Sequence, residues 1–401
     1  MSHLHEAKFD ALIHAKRAGA FATPAAPKHF PPSLELEPTH LDFDLFFDLA
    51  NSNVSGTLTT TVKANRDGVD SIEFDAVSFD ELEYRDADGR ELSFSYNGER
   101  ARIVWRTPFM RGEERKVIAT YRVNDPVSGL YFSRPSVDRP DLQWFCGSDH
   151  ETERARFWIP CVDLPAVRTS LDMRITAEAR FRALSNGFEV SQRDNGDGTA
   201  TTHWRLDQRC PSYLIAVCIG ELVEWQGEDY EGVAIAAFTT KDHSAASLER
   251  SFGRTKAMLQ WMTKHLDMPY PYPKYYQYCL PAFGGAMENI SLVSWDDVFV
   301  LDEQLAPEWT WLVDQINLHE MSHTYFGDHI VCRDFANAWL KESWAVYIET
   351  AWLEYFRGDD EKRYDFWCNA KNYFNEADNS YMRPLMTRHY ESSWQMYDRH
   401  L

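Results

Sequence analysis

No uninterrupted apolar run in the 401 residues is long enough to cross a bilayer, which takes about 20 residues, so no helical membrane span is expected within them. The stretch Met1 to Ala20 lacks the apolar core of a secretory signal and carries His, Lys, Glu and Asp instead, which points to a cytoplasmic protein. Cysteine is sparse, with seven scattered copies, so no disulfide framework organises the fold; unpaired thiols fit a reducing compartment. Cys161 reads as a packed thiol rather than a nucleophile or a metal ligand. Cationic side chains are also short: 41 Lys and Arg stand against 62 Asp and Glu, a net charge of -21. That sign excludes nucleic acid as a partner, because phosphates need basic surfaces. It gives the amine-bearing end of a peptide a mildly attractive field. Internal repeats and low-complexity segments are absent.

What is present falls into three parts. Residues 1–38 form a polar extension in which Pro24, Pro27, Pro31 and Pro32 prevent a continuous helix. Residues 39–228 alternate apolar and polar side chains, as in Leu41 to Leu45, Ser71 to Phe74 and Leu92 to Tyr96. Turn signals at Asp88-Gly89, Asn97-Gly98 and Asn195-Gly196 punctuate them, so an all-β saddle or sandwich is expected. Beyond Trp225 to Gly232 the character changes, and residues 229–401 read as a mixed α+β domain. Leu248 to Leu266 is expected as one amphipathic helix, and Ala336 to Phe356 as another.

Within that last part His319-Glu320-Met321-Ser322-His323 reads HExxH, and Glu342 follows after eighteen intervening residues. Residues four apart share a helix face, so His319 and His323 can reach one metal ion. Leu312, Val313 and Ile316 before the motif, and Tyr325 and Phe326 after it, make the helix apolar enough to be buried. Two histidines and a glutamate in such a place would be costly without partners. Glu342, carried inward by the second helix, is the candidate third ligand, leaving a fourth tetrahedral position to water as in a catalytic zinc. Two His and one Glu suit zinc best among common metals. Upstream, Gly284-Gly285-Ala286-Met287-Glu288-Asn289 has small residues that let a peptide backbone approach an edge strand, with Glu288 projecting into the cleft.

These motifs resemble those of the aminopeptidase N-like gluzincins, whose pattern is GxMEN, then HExxH, then a Glu in a WLNEGFA-like segment; here the last is Trp339 to Ala345. Gly129-Leu130-Tyr131, the Arg156 to Pro165 turn and the Met268 to Lys274 segment are similar to further family motifs. The resemblance implies an N-terminal all-β saddle followed by a thermolysin-like α+β zinc peptidase domain with one zinc per chain. It implies that His319, His323 and Glu342 hold the metal and that Glu320 is the general base. Glu288 would hold the free α-amine of a peptide, Gly285 and Ala286 its backbone, and Met287 and Asn289 would complete the substrate-binding segment. Glu151 falls where the family has a second amine-binding residue, although the charged run Asp149 to Arg156 by itself reads as a solvated loop. The implied activity is a zinc aminopeptidase acting on peptides with a free N-terminal amine. A non-catalytic peptide-binding relative is the alternative, an endopeptidase is disfavoured by Glu288, and the epoxide hydrolase chemistry of one family branch stays open.

The chain departs from the pattern at Lys341, Ser343 and Trp344 around the third ligand, and at Thr324, Tyr325 and Asp328 after the second. The family also places an oxyanion-stabilising tyrosine some sixty residues past the third ligand. Tyr397-Asp398-Arg399-His400-Leu401 resembles the start of that segment, and in this register the tyrosine would follow Leu401. The chain therefore reads as a fragment, incomplete at the C-terminus of its catalytic domain; otherwise Tyr390 or Tyr397 serves from a shifted register. Loss of one oxyanion donor typically costs about a hundred- to a thousandfold in rate, so weak turnover is expected. The preferred N-terminal residue, the oligomeric state and the physiological substrate are not written in the sequence.

Overall fold

Alternation of apolar and polar side chains builds the first half of the molecule. The structure is a computed structural model that describes residues 19–401; the first eighteen residues of the expected extension lie outside them. Along the strand Leu36–Asp48, Leu41, Phe43, Leu45 and Phe47 all turn inward, and Leu171, Met173 and Ile175 do the same along Arg168–Glu178. These two strands pair in parallel, with Phe43 opposite Met173, at the centre of a seven-stranded sheet whose other pairings are antiparallel. Each such side chain contributes about 1.5–3 kcal/mol when fully buried. Gly89, Gly98 and Gly196 have φ of 78°, 90° and 78°, the left-handed geometry that the expected turns require. A four-stranded sheet, in the order Arg182–Ser185, Val217–Gly220, Phe145–Ser148 and Leu130–Ser133, carries the β half up to the site.

The second half is a five-stranded sheet flanked by helices. Its order is Leu222–Gln226, Ala234–Thr240, Lys274–Leu280, Leu292–Asp296 and, at one edge, the short strand Ala286–Met287. Helices α1 (Ala245–Phe252) and α2 (Thr255–Leu266) replace the single helix expected over Leu248 to Leu266. The break is stabilised by side chains that satisfy the carbonyls at the end of α1. The Thr255 hydroxyl donates to Phe252 O at 2.7 Å and Arg254 Nη2 to Arg250 O at 3.2 Å. Arg254 Nε also reaches Asp314 at 2.7 Å, tying the break to α3 (Ala306–His323). A 3-10 turn, Phe335–Asn337, leads into α4 (Trp339–Arg357), which is followed by α5 (Asp359–Asn379). No helix among the described residues is long and apolar enough to cross a membrane. All seven cysteines are free, and Cys161 is buried.

Polar groups buried between the halves tie them together. Lys274 Nζ donates to Ser185 O at 2.9 Å and Ser291 O at 3.0 Å, while Asn186 Nδ2 bridges Leu214 O and Ile290 O. His150, fully buried, accepts from Trp158 Nε1 at 2.7 Å. Burial pushes its imidazole down to about 3 from 6.5. Because the folded-state value lies below the unfolded one, the neutral ring contributes stability that is complete above about pH 6.5 and is lost as the pH falls towards 3. Urea unfolding between pH 7 and about pH 4.5 should therefore show a steeper loss of stability in the parent than in His150→Gln, by up to ~1.4 kcal/mol per pH unit. Parallel curves would show that His150 does not titrate on unfolding.

Candidate metal and substrate site

Two helices build the candidate metal site. α3 presents His319 and His323 one turn apart, and the first turn of α4 brings in Glu342. Glu342 Oε2 lies 3.4 Å from His319 Nε2 and 3.7 Å from His323 Nε2. Tetrahedral ligand atoms at zinc–nitrogen and zinc–oxygen distances stand about 3.4 Å apart, so these three atoms fit a zinc ion. The far nitrogens are also engaged. His323 Nδ1 donates to Phe326 O at 3.0 Å, and His319 Nδ1 is hydrogen-bonded to the Glu349 carboxylate. Both bonds keep the Nε2 lone pair free for a metal.

Glu349 had no place in the sequence reading. Its position seven residues after Glu342, two turns along the same helix face, was the available signal. It is buried and also accepts from Gln315 Nε2 at 2.6 Å. Glu349→Gln should lower zinc affinity roughly 10- to 100-fold, read by competition against a chelating dye. Unchanged affinity would show that Glu349 does not orient His319.

His319, His323 and Glu342 open onto a cavity of about 440 Å³ that Glu320, Glu288, Glu151, Ala286 and Tyr397 also line. Glu320 is 4% exposed, and its Oε2 has no hydrogen-bond partner among the described residues. Burial, together with the Glu288 and Glu342 charges, raises its carboxyl well above the usual range. Burial alone would disfavour a charged His319, but Glu342 and Glu349 outweigh it and hold its imidazole near 10. A bound divalent cation would oppose both shifts.

The glycine segment behaves as an edge. Gly284 and Gly285 have φ of 62° and 128°, values that favour glycine, and Ala286–Met287 runs antiparallel to Leu292–Asp296 with its other side unpaired in the sheet. Ala286 lines the metal cavity and also a neighbouring one of about 620 Å³; Gly285 and Met287 line the second only. Phe132, Phe145 and Phe283 contribute aromatic rings to the wall of that second cavity. Asn289 lies behind the strand, where its Nδ2 donates to Ser294 Oγ at 3.2 Å, and it lines neither cavity.

Glu151 is where the local reading of the sequence fails. His150, Glu151 and Thr152 are buried rather than solvated, because the loop is folded against the second half of the molecule. Lys341 accounts for much of this. Its fully buried ammonium sits 2.7 Å from Glu151 Oε1, 2.7 Å from Glu288 Oε1 and 2.6 Å from Glu342 Oε1. Burial raises Glu151, Lys341 opposes it, and Glu288 and Glu342 raise it further, to about 7. Tyr397 donates its hydroxyl to Glu151, whereas Tyr390 stacks on His29 and lines neither cavity. Trp344, another departure from the family pattern, stacks on Phe326 at 5.2 Å beside the second ligand.

Residues 37–214 match the Peptidase M1 N-terminal domain and residues 250–400 the Peptidase family M1 domain, together most of the chain. The chain belongs to the M1 peptidase family. Among its relatives, aminopeptidase N of Lactobacillus helveticus is 27% identical over 317 residues, 78% of this M1 chain and 36% of that protein. The puromycin-sensitive aminopeptidase of Caenorhabditis elegans is 27% identical over 234 residues, 57% of this chain and 24% of that protein. The chain thus spans about a third or less of the length of these relatives. The M1 zinc metallopeptidase of Deinococcus radiodurans shares the fold with a TM-score of 0.72 at 21% identity, covering 94% of this chain and 81% of that one. A variant of that enzyme bound to Tyr-Ser-Ala superposes with a TM-score of 0.71 at 20% identity, covering 94% of this chain and 82% of the other.

Proposed function

We propose that this chain carries a zinc-dependent aminopeptidase centre that removes N-terminal residues from peptides, with one zinc per chain. The observation that carries this reading is that Glu151 and Glu288 converge on a single ammonium, Lys341 Nζ, beside two histidines and a glutamate arranged for zinc. Carboxylates placed this way suit the α-ammonium of a peptide, and the Tyr-Ser-Ala complex of the Deinococcus relative supports a peptide as substrate. Zinc held by His319, His323 and Glu342 would supply Lewis acidity and a water acidified towards neutrality. Glu320 accepts the proton of the attacking water and passes it to the departing amine. Glu288 and Glu151 fix the α-ammonium, which confines cutting to the first peptide bond. The edge strand at Gly285 and Ala286 aligns the backbone through main-chain hydrogen bonds. Free thiols throughout fit a cytoplasmic setting.

Metal analysis of the purified protein, paired with hydrolysis of aminoacyl amides and their N-acetyl counterparts, tests the proposal. One zinc per chain is expected, with acetylation of the amine lowering kcat/KM at least about a hundredfold, because an amide nitrogen carries no positive charge for Glu151 and Glu288 to hold. Absence of zinc, or equal hydrolysis of the acetylated amides, would sink it. Zinc and peptide binding without turnover would favour the non-catalytic relative.

A further inference from the structure

The extension at the start of the described chain runs back along the last residues of the catalytic half. Gly19 N–H donates to Ser380 O at 2.8 Å. The Phe21 ring meets Tyr381 edge-on at 5.2 Å and lies 5.1 Å from the Arg383 guanidinium. Further along, His29 N–H donates to Arg388 O at 2.8 Å, its Nε2 to Tyr390 O at 2.9 Å, and its ring stacks on Tyr390 at 3.9 Å and 4°. Arg388 returns a bond to His29 O at 3.1 Å while pairing with Asp334 at 2.7 Å.

The segment these residues cover reaches the amine subsite on its other side. Arg383, buried, grips Asp398 with bonds of 2.7 and 2.6 Å and donates to Met396 O at 3.1 Å, so its partners flank Tyr397. Ser393 Oγ donates to Glu153 at 2.9 Å, Arg154 lies 5.0 Å from the Trp394 ring, and Tyr397 holds Glu151. Between residues 380 and 401 the only regular structure is the 3-10 turn Ser393–Met396 and an isolated bridge from His389 to Lys28. With no sheet ladder or long helix of its own, this segment is ordered by scattered main-chain and side-chain contacts from both sides, the kind of element that opens locally at low cost.

We propose that residues 19–30 are a positioning strap for the amine subsite: through Phe21, His29 and the Arg383–Asp398 pair they hold Tyr397, and through it Glu151, in place. This rests on the proposed role of Glu151 in binding the substrate amine. The strap touches neither the metal ligands nor Glu320. Its loss therefore weakens substrate binding and leaves the proton transfer and the metal as they were.

The test uses the full-length protein with Phe21→Ala and His29→Ala combined, and Phe21→Tyr with His29→Phe as the conservative pair that keeps both rings. In the alanine variant, amide exchange in residues 149–154 and 380–401 is expected to quicken about tenfold or more. KM for aminoacyl amides should rise about tenfold with kcat within about threefold, because uniform binding is what is lost. Zinc content should be unchanged, and the conservative pair should restore both readouts. Unchanged exchange and KM overturn the proposal. So does a joint fall of kcat, zinc content and melting temperature that the conservative pair fails to separate. If the parent hydrolyses nothing, the aminopeptidase reading fails, and the exchange measurement alone decides for or against the strap. If the double variant does not fold, His29→Ala alone is read in the same way.

Discussion

Replacing Glu320 by Gln is expected to abolish hydrolysis while leaving the metal in place. The two side chains have the same shape, so the packing around this buried position is kept. Gln cannot accept a proton, and general-base catalysis contributes typically 10²- to 10⁴-fold; the expected loss in kcat is about a thousandfold or more. Zinc content should stay at one per chain if His319, His323 and Glu342 hold the metal as proposed, because Glu320 is not among those three. Stability should hold, since a buried carboxyl whose surroundings disfavour the anion is replaced by a neutral amide of the same shape. Steady-state kinetics with metal analysis on the same preparation decide the matter. Activity within tenfold of the parent would place proton transfer on another group.

The second large effect is on folding. Lys341→Met should destabilise the protein by about 3–5 kcal/mol, the range seen when one member of a buried ion pair is removed. Met nearly matches the length of the lysine stem and fills its space, so the loss would come from charge rather than from a cavity. Glu151, Glu288 and Glu342 would then share a buried pocket without the ammonium that all three contact. Urea unfolding measures the loss. Adding Glu288→Gln to Lys341→Met should recover part of it, because the second change removes one of the stranded charges and the two sites are in direct contact. A loss below about 1 kcal/mol would mean that these carboxylates are balanced from elsewhere.

The juxtaposition of His319, Glu320 and His323 was legible because its spacing is written locally. His319 and His323 are one helical turn apart, and Glu320 is fixed between them by the same helix. The edge-strand reading of Gly284 to Glu288 also followed from residue type, since glycines with positive φ and a two-residue strand are what such a segment forms. The family resemblance likewise pointed to Glu151, yet its burial ran against the local reading, because the charged run Asp149 to Arg156 is buried by residues about 190 and 246 positions away. Lys341 stood out in the sequence only as a departure from a pattern. Its three partners come from the β half, the edge strand and its own helix, a convergence that no local window contains.

What this sequence determined by itself is therefore what short-range geometry can carry: strand faces from alternation, turns from glycine, and the shared face of His319 and His323 from helical spacing. Tertiary structure alone decided which carboxylates share a cation, that Glu349 rather than solvent orients His319, and that residues 19–30 lie against residues 380–390. The physical reason is that desolvation and pairing energies depend on every group within a few ångströms, whatever its distance along the chain.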